Sequence, residues 1–91
     1  MAEYVRGTKG NDVVDRSTST DTVWIFGDEG DDLLTGGWGN DSLNGGMGDD
    51  RLRGGAGNDR INGGMGSDRM QGGAGNDTFV FVNGEVSTGA G

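Results

Sequence analysis

Apolar residues recur at every ninth position through the middle of the chain, each flanked by polar residues. From Gly27 to Val80 the chain divides without a gap into six nine-residue segments: GDEGDDLLT, GGWGNDSLN, GGMGDDRLR, GGAGNDRIN, GGMGSDRMQ and GGAGNDTFV. Because side chains alternate between the two faces of a strand, positions seven to nine predict a short strand with its middle side chain pointing inward. These inward residues are Leu34, Leu43, Leu52, Ile61, Met70 and Phe79.

Glycine and aspartate occupy the other fixed positions. Glycine stands first and fourth in all six segments and second in five, with Asp28 as the exception. Because glycine adopts left-handed backbone conformations, each repeat predicts one tight turn followed by one strand. The sixth position is always aspartate: Asp32, Asp41, Asp50, Asp59, Asp68 and Asp77.

A turn plus a strand in nine residues places successive strands in opposite sheets, so one coil takes two repeats. The inward residues of odd-numbered repeats then line one sheet and face those of even-numbered repeats on the other. The predicted fold class is all-β, a parallel β-roll, which is a right-handed β-solenoid of short strands. We predict six regular repeats over 27–80, degenerate N-terminal repeats and a cap over 1–26, and a strand end with a flexible tail over 81–91.

The N-terminal region keeps the pattern only in part. Segment 7–15 retains its first and fourth glycines and has Asp12 at position six. Segment 16–26 has lost its glycines, and its sixth and eighth positions fall on Asp21 and Val23, with two extra residues before the first regular repeat. Terminal repeats of solenoids are usually atypical, so we interpret this segment as closing the N-terminal end.

Composition indicates that more than a hydrophobic core holds this chain together. Of 91 residues, 22 are glycine and only 30% are hydrophobic, so folding costs much backbone entropy and buries little apolar surface. The absence of cysteine excludes disulfides and leaves a metal ion as the stabilising element. The formal net charge of −8 argues against nucleic acid as a partner. No run of residues is long and apolar enough for membrane insertion.

The aspartates indicate which metal. In a β-roll the turns of alternate repeats stack along the same edge, about 4.8 Å apart, and bring like charges together. Calcium takes six to eight oxygen ligands at roughly 2.3–2.6 Å and fits between two such turns, whereas magnesium demands a tighter octahedron. The absence of His and Cys disfavours zinc and iron. A single aspartate often bonds its own turn, but six in phase favour a metal.

The repeat resembles the calcium-binding nonapeptide of the RTX (repeats-in-toxin, haemolysin-type) family, with consensus GGxGxDxUx, where U is a large apolar residue. The resemblance implies that each ion lies between turns two repeats apart, held by both sixth-position carboxylates and by glycine carbonyls. About four ions follow for the regular block, at the pairs Asp32–Asp50, Asp50–Asp68, Asp41–Asp59 and Asp59–Asp77, with Asp12 as a further ligand. The glycines implied are Gly27, Gly36, Gly37, Gly39, Gly45, Gly46, Gly48, Gly54, Gly55, Gly57, Gly63, Gly64, Gly66, Gly72, Gly73 and Gly75.

The resemblance also implies a function. Such repeats are typical of bacterial proteins exported by type I secretion, so we predict a secreted module, without an N-terminal signal peptide, that folds on binding calcium. The alternative is a free-standing component of an extracellular assembly, such as an adhesin or a surface layer, stabilised by calcium. Only a short segment follows the last repeat, so either the chain is truncated or it does not export itself. Enzymatic activity is not expected, because the chain has no His or Cys and its carboxylates are assigned to metal.

The surface carries three further expectations. Thr22–Phe26 and Thr78–Val82 are apolar ends, covered by flanking domains or by other protein subunits. Position three projects from the turns and forms either a contact surface or a site of tolerated variation, at Trp38, Met47 and Met65. Position seven and one position nine carry arginines that form either a solvated face or an anion site: Arg51, Arg53, Arg60 and Arg69.

Overall fold

The computed structural model describes residues 2–80 and 86–88, and the regular elements there are all short β-strands. In chain order they are β1 (Ala2–Arg6), β2 (Val13–Asp15), β3 (Thr22–Phe26), β4 (Leu33–Thr35), β5 (Ser42–Asn44), β6 (Arg51–Arg53), β7 (Arg60–Asn62), β8 (Arg69–Gln71), β9 (Thr78–Val80) and β10 (Val86–Thr88). A helix able to cross a membrane does not occur in this described part of the chain.

Strands β1 to β9 alternate between two sheets. One sheet has six strands in the order β1-β3-β5-β7-β9-β10, and the other has four in the order β2-β4-β6-β8. Neighbouring strands are parallel, except that β10 runs antiparallel to β9. The two sheets form a β-solenoid of about four turns, which confirms the predicted parallel β-roll with two repeats per coil.

The inward residues pair as the period predicts. In the four-stranded sheet Leu34 lies opposite Leu52, which lies opposite Met70. In the six-stranded sheet the corresponding row consists of Leu43, Ile61 and Phe79. Each inward side chain is flanked by two outward ones, so one apolar layer fills the space between the sheets. The buried core consists of Val14, Val23, Ile25, Leu34, Leu43, Leu52, Ile61 and Phe79, with Val5 and Met70 packed against it.

The register of segment 16–26 differs from the expectation. Ile25 lies opposite Leu43, so Ile25 occupies the eighth position of this segment, and the assignment of that position to Val23 is wrong. The extra residues lie in the preceding turn, because β3 keeps the same register with β5 that the regular repeats keep with each other. Val23 falls on the sixth position instead and is fully buried.

The strand Thr22–Phe26 was expected to be an apolar end covered by flanking domains or by other subunits, but it is paired on both edges within the chain. Strand β1, which the repeat pattern does not predict, runs parallel to it and places Val5 opposite Ile25. On the outer surface Tyr4 and Trp24 are in ring contact, with centroids 5.5 Å apart. The chain therefore covers β3 itself. At the other end β10 extends the same sheet beyond β9, and the remainder of Thr78–Val82 and of the predicted tail lies outside the described residues.

Candidate metal centre

The sixth-position aspartates line the inside of both stacks of turns. Five of them are between 1% and 4% exposed: Asp32, Asp41, Asp50, Asp59 and Asp77. Asp68, in the last turn of its stack, is partly exposed. Burying a carboxylate is costly unless it is paired with a cation or fully hydrogen-bonded, so the array calls for positive charge inside the stacks.

One carboxylate oxygen of each aspartate links two turns. Asp50 Oδ1 accepts a hydrogen bond from the N–H of Asp32 at 2.8 Å, and Asp68 Oδ1 accepts one from the N–H of Asp50 at 2.9 Å. The same bond recurs along the opposite edge. This oxygen therefore serves the stack and is not used for the local turn bond that isolated aspartates often make.

The other oxygen is unpartnered in four of these carboxylates. The Oδ2 atoms of Asp32, Asp50, Asp59 and Asp77 are buried and receive no hydrogen bond from the described residues. A buried polar atom without a partner costs about 1–3 kcal/mol, and more when it is charged. A cation beside each Oδ2 removes this cost, so the carboxylates fit a metal site.

The first-position glycines leave room beside these oxygens. A Cβ atom on Gly45 would lie 2.5 Å from Asp50 Oδ2 and 2.7 Å from the carbonyl oxygen of Gly63, in the next turn of the stack. The same two distances separate a Cβ on Gly27 from Asp32 Oδ2 and the Gly45 carbonyl oxygen. Neither glycine has a positive φ, so the close approach of oxygens is what requires glycine there. Carboxylate and carbonyl oxygens thus converge, and such an all-oxygen donor set suits calcium.

The second- and fourth-position glycines serve the turn itself. Gly46 and Gly48 have φ values of 83° and 108°, which favour glycine, and Asp28 takes a φ of 72° at the one second position where glycine is absent. The carbonyl of Gly46 accepts the N–H of Met65 at 3.0 Å. Among the predicted carbonyls, those of Gly45 and Gly63, both at the first position, lie beside the unpartnered Oδ2 atoms of Asp32 and Asp50, whereas second-position carbonyls join neighbouring turns.

Asp12 belongs to the first ladder in spite of the irregular spacing. Its N–H donates to Asp32 Oδ1 at 2.8 Å, which is the bond that the regular repeats make. A Cβ on Gly7 would lie 2.6 Å from Asp12 Oδ2 and 2.5 Å from the carbonyl oxygen of Gly27. Gly7 is absent from the set of candidate residues drawn from the sequence, although its place as the first residue of segment 7–15 is the signal for it.

The second ladder ends one aspartate earlier. Val23 takes the sixth position, and its N–H donates to Asp41 Oδ1 at 2.9 Å. The first carboxylate of each ladder has a local donor for its Oδ2 atom: Asp41 Oδ2 accepts the N–H of Gly37 at 2.9 Å, and Asp12 Oδ2 accepts the N–H of Thr8 at 2.6 Å. The ladder containing Asp12 therefore has four carboxylates in register and the ladder ending at Asp41 has three.

The fifth-position side chains form a separate ladder outside the carboxylates. The Asp31 Oδ1 atom accepts the N–H of Asp49 at 2.8 Å, and Asn40 Oδ1 accepts the N–H of Asn58 at 2.8 Å. These bonds stack the turns without a metal. No group of three or more His, Cys, Asp or Glu side chains within the described residues is arranged to hold a metal ion. Each candidate site therefore combines paired carboxylates with backbone carbonyls.

Burial raises the pKa of the ladder carboxyls, because the charged form loses its hydration. The pKa of Asp59 rises to about 7 and that of Asp50 to about 6, from an ordinary value of 3.8, and nearby carboxylates add to both shifts. Desolvation also raises the pKa of Asp32, Asp41 and Asp68. Without a cation these side chains hold protons more tightly in the folded chain than in the unfolded chain.

Calcium binding is expected to weaken as the pH falls, because the ion binds ionised carboxylates and must displace protons. The metal-free fold responds in the opposite direction: protonation at low pH stabilises it, and that stability is lost as the pH rises through the raised pKa values of Asp50 and Asp59. Calorimetry should show calcium affinity dropping more than about tenfold between pH 8 and pH 5, with proton release on binding. An affinity that is constant over this range contradicts the assignment.

A family model described as the RTX calcium-binding nonapeptide repeat, in four copies, matches residues 24–52 and 44–79. These stretches cover more than half of the chain and contain all six sixth-position aspartates of the regular block. Comparison with curated proteins and with solved structures gives no match.

Proposed function

This chain belongs to the RTX calcium-binding nonapeptide repeat family, and on that basis we propose that its calcium-binding β-roll folds when calcium enters the stacked turns. Calcium binding is the role of this repeat family. The finer proposal is that the ion completes the fold, and the buried, unpartnered Oδ2 atoms support it most directly. A folded chain without calcium would leave those oxygens charged and without a donor, or protonated.

Each ion is proposed to lie between successive turns of one stack. Its ligands there are the paired sixth-position carboxylates and first-position carbonyls such as that of Gly45, which lies beside the Oδ2 side of Asp32. The bound ion would interact directly with the Oδ2 atoms that receive no hydrogen bond and would balance their negative charge. The other predicted glycine carbonyls remain candidate ligands of the same ions.

We propose one site more than the regular block provides, between Asp12 and Asp32. The hydrogen bond from the Asp12 N–H to Asp32 Oδ1 and the space beside Gly7 support it. The substitution Asp12→Asn is therefore expected to lower the number of bound calcium ions by one, as measured by native mass spectrometry. Asp49→Asn is the matched control, because it removes the same charge from a fifth-position side chain and keeps an acceptor oxygen. Equal stoichiometry in wild type and Asp12→Asn contradicts this site.

The proposed setting is a bacterial protein that is exported unfolded and folds outside the cell. Extracellular calcium modules bind with Kd values of about 10⁻⁴–10⁻³ M, far above the range of high-affinity intracellular sites. A titration followed by the fluorescence of Trp24 and Trp38 should therefore give a folding midpoint in that range. A midpoint below about 10⁻⁷ M contradicts export in an unfolded state. An ordered oligomer at saturating calcium would favour the structural component of an extracellular assembly instead.

A further inference from the structure

The outer face of the four-stranded sheet concentrates positive charge. Strands β6 and β8 direct four side chains outward, and three of them are arginine: Arg51, Arg53, Arg69, with Gln71 as the fourth. Arg51 lies opposite Arg69 in the strand register, and Arg53 is on the same face of β6 as Arg51. All three arginines are exposed.

No carboxylate shares the outward face of β4, β6 or β8. The outward residues of β4 are Leu33 and Thr35. The nearest outward acid in the sheet is Asp15 on β2, whose carboxylate accepts the N–H of Ser17 at 2.9 Å. Among the described residues the ion pair is between Arg16 and Glu3 and involves none of the three arginines. Like charges directly opposite each other destabilise a sheet, so an anion between them would be bound favourably.

The arginines line an open groove of about 530 Å³. Leu33, Thr35 and Gln71 contribute to the same groove. Leu33 is 41% exposed, so the groove offers an apolar surface beside its cationic one. Thr35 and Gln71 add a neutral hydroxyl and a neutral amide, which can form hydrogen bonds with sugar hydroxyls.

We propose that this groove binds the sulfate or carboxylate groups of an acidic saccharide chain. The guanidinium fork donates two parallel hydrogen bonds to such oxyanions, which a lysine ammonium does not. An open groove across adjacent strands suits a linear polymer that extends beyond the three arginines. The outward face of the four strands carries no aromatic side chain on which a nucleobase would stack, and this favours a saccharide over single-stranded nucleic acid.

Calcium binding changes the net charge of the chain to which the saccharide binds. The metal-free chain has a formal net charge of −8, and the five proposed calcium ions, each of charge +2, would more than balance it, which leaves the arginine face as an uncompensated positive region. The calcium dependence of saccharide binding rests on the proposed function. The groove itself depends only on strands β4, β6 and β8 being formed.

Arg60 provides a matched control. It occupies the same repeat position on β7, in the other sheet, where its row neighbours are Ser42 and Thr78. Arg60→Gln removes the same charge as Arg51→Gln or Arg69→Gln without touching the groove. All three side chains are exposed on strand surfaces, so none of these substitutions disturbs the core.

The test is calorimetric titration of the calcium-saturated chain with a sulfated oligosaccharide and, separately, with a uronic-acid oligosaccharide of equal length. Arg51→Gln and Arg69→Gln should each weaken binding by at least about tenfold, and Arg60→Gln by less than about twofold. Tighter binding of the sulfated or of the uronic-acid oligosaccharide shows whether the groove prefers sulfate or carboxylate groups. Equal losses in all three variants, or no binding of either saccharide, would overturn the proposal. Binding to anionic phospholipid vesicles without saccharide binding would also overturn it.

The same samples separate the groove from the proposed function. Circular dichroism reports folding in each titration. A folded, calcium-loaded chain that binds neither saccharide overturns the groove and leaves calcium-dependent folding intact. Saccharide binding that persists unchanged in EGTA, still sensitive to Arg51→Gln, supports the groove and overturns calcium-dependent folding.

Discussion

With calcium removed by EGTA, the chain is expected to lose its β-structure throughout and to become a disordered coil. The described core consists of eight buried apolar side chains from the two facing sheets, which is too little apolar burial to offset the ordering of a chain with 22 glycines. Four of the ladder carboxylates add to the cost, because they are buried without a donor for Oδ2. Calcium binding and folding should therefore be a single cooperative event.

Far-UV circular dichroism and amide NMR dispersion measure this directly. Added calcium should restore the β signal in a sigmoidal titration, and magnesium at the same concentration should not, since it requires a tighter octahedron and retains its water. A β signal and dispersed amide resonances that persist in EGTA at neutral pH would show that the roll folds without the metal.

The substitution Gly45→Ala is expected to raise the calcium concentration at the folding midpoint by at least about tenfold. The new methyl group would lie 2.5 Å from Asp50 Oδ2 and 2.7 Å from the Gly63 carbonyl, in the space assigned to ligand oxygens and their ion. The carbonyl of Gly45 also lies beside Asp32 Oδ2, so a shift of its backbone disturbs two adjacent sites.

Gly10→Ala is the control for Gly45→Ala. It makes the same chemical change in a turn of the same stack, but its Cβ would meet nothing closer than Thr8 Oγ1 at 3.8 Å. Neither glycine has a positive φ, so backbone strain is matched as well. The midpoint of Gly10→Ala should stay within about twofold of wild type. Equal midpoints for the two variants would show that the first-position glycines have no part in calcium binding.

The nine-residue period was sufficient to predict the two sheets, the pairing of Leu34 with Leu52, and the stacking of aspartates on two edges. It succeeds because a strand alternates strictly between faces, and a constant repeat length therefore fixes both register and burial. The same reasoning places Arg51 beside Arg69, and the structure pairs them.

The nine-residue period could not predict the structure of the N-terminal end. Strand β1 has no glycine turn before it, and its pairing with β3 depends on contacts that no repeat encodes. Counting forward from Arg16 places Val23 at the eighth position, whereas the pairing with β5 places Ile25 there. The pairing decides, because a turn accommodates two extra residues more easily than a strand changes register.

The sequence also did not show that the first, second and fifth positions of each turn have different structural roles. Fifth-position residues such as Asp31 accept a hydrogen bond from the turn that follows in the stack, which their polar character alone does not indicate. First-position and second-position glycines look identical in sequence, yet Gly45 avoids a clash with oxygens and Gly46 takes a left-handed conformation. These distinctions depend on distances between turns, which the repeat pattern does not contain.

The most direct test of calcium binding in the stacked turns is an anomalous difference map from crystals grown in calcium. We expect strong peaks between successive turns of both stacks, each close to the Oδ2 atom of a sixth-position aspartate such as Asp50 and to a first-position carbonyl such as that of Gly63. Peaks confined to exposed acids such as Asp28 and Asp49, with none between the turns, would contradict calcium binding in the stacked turns.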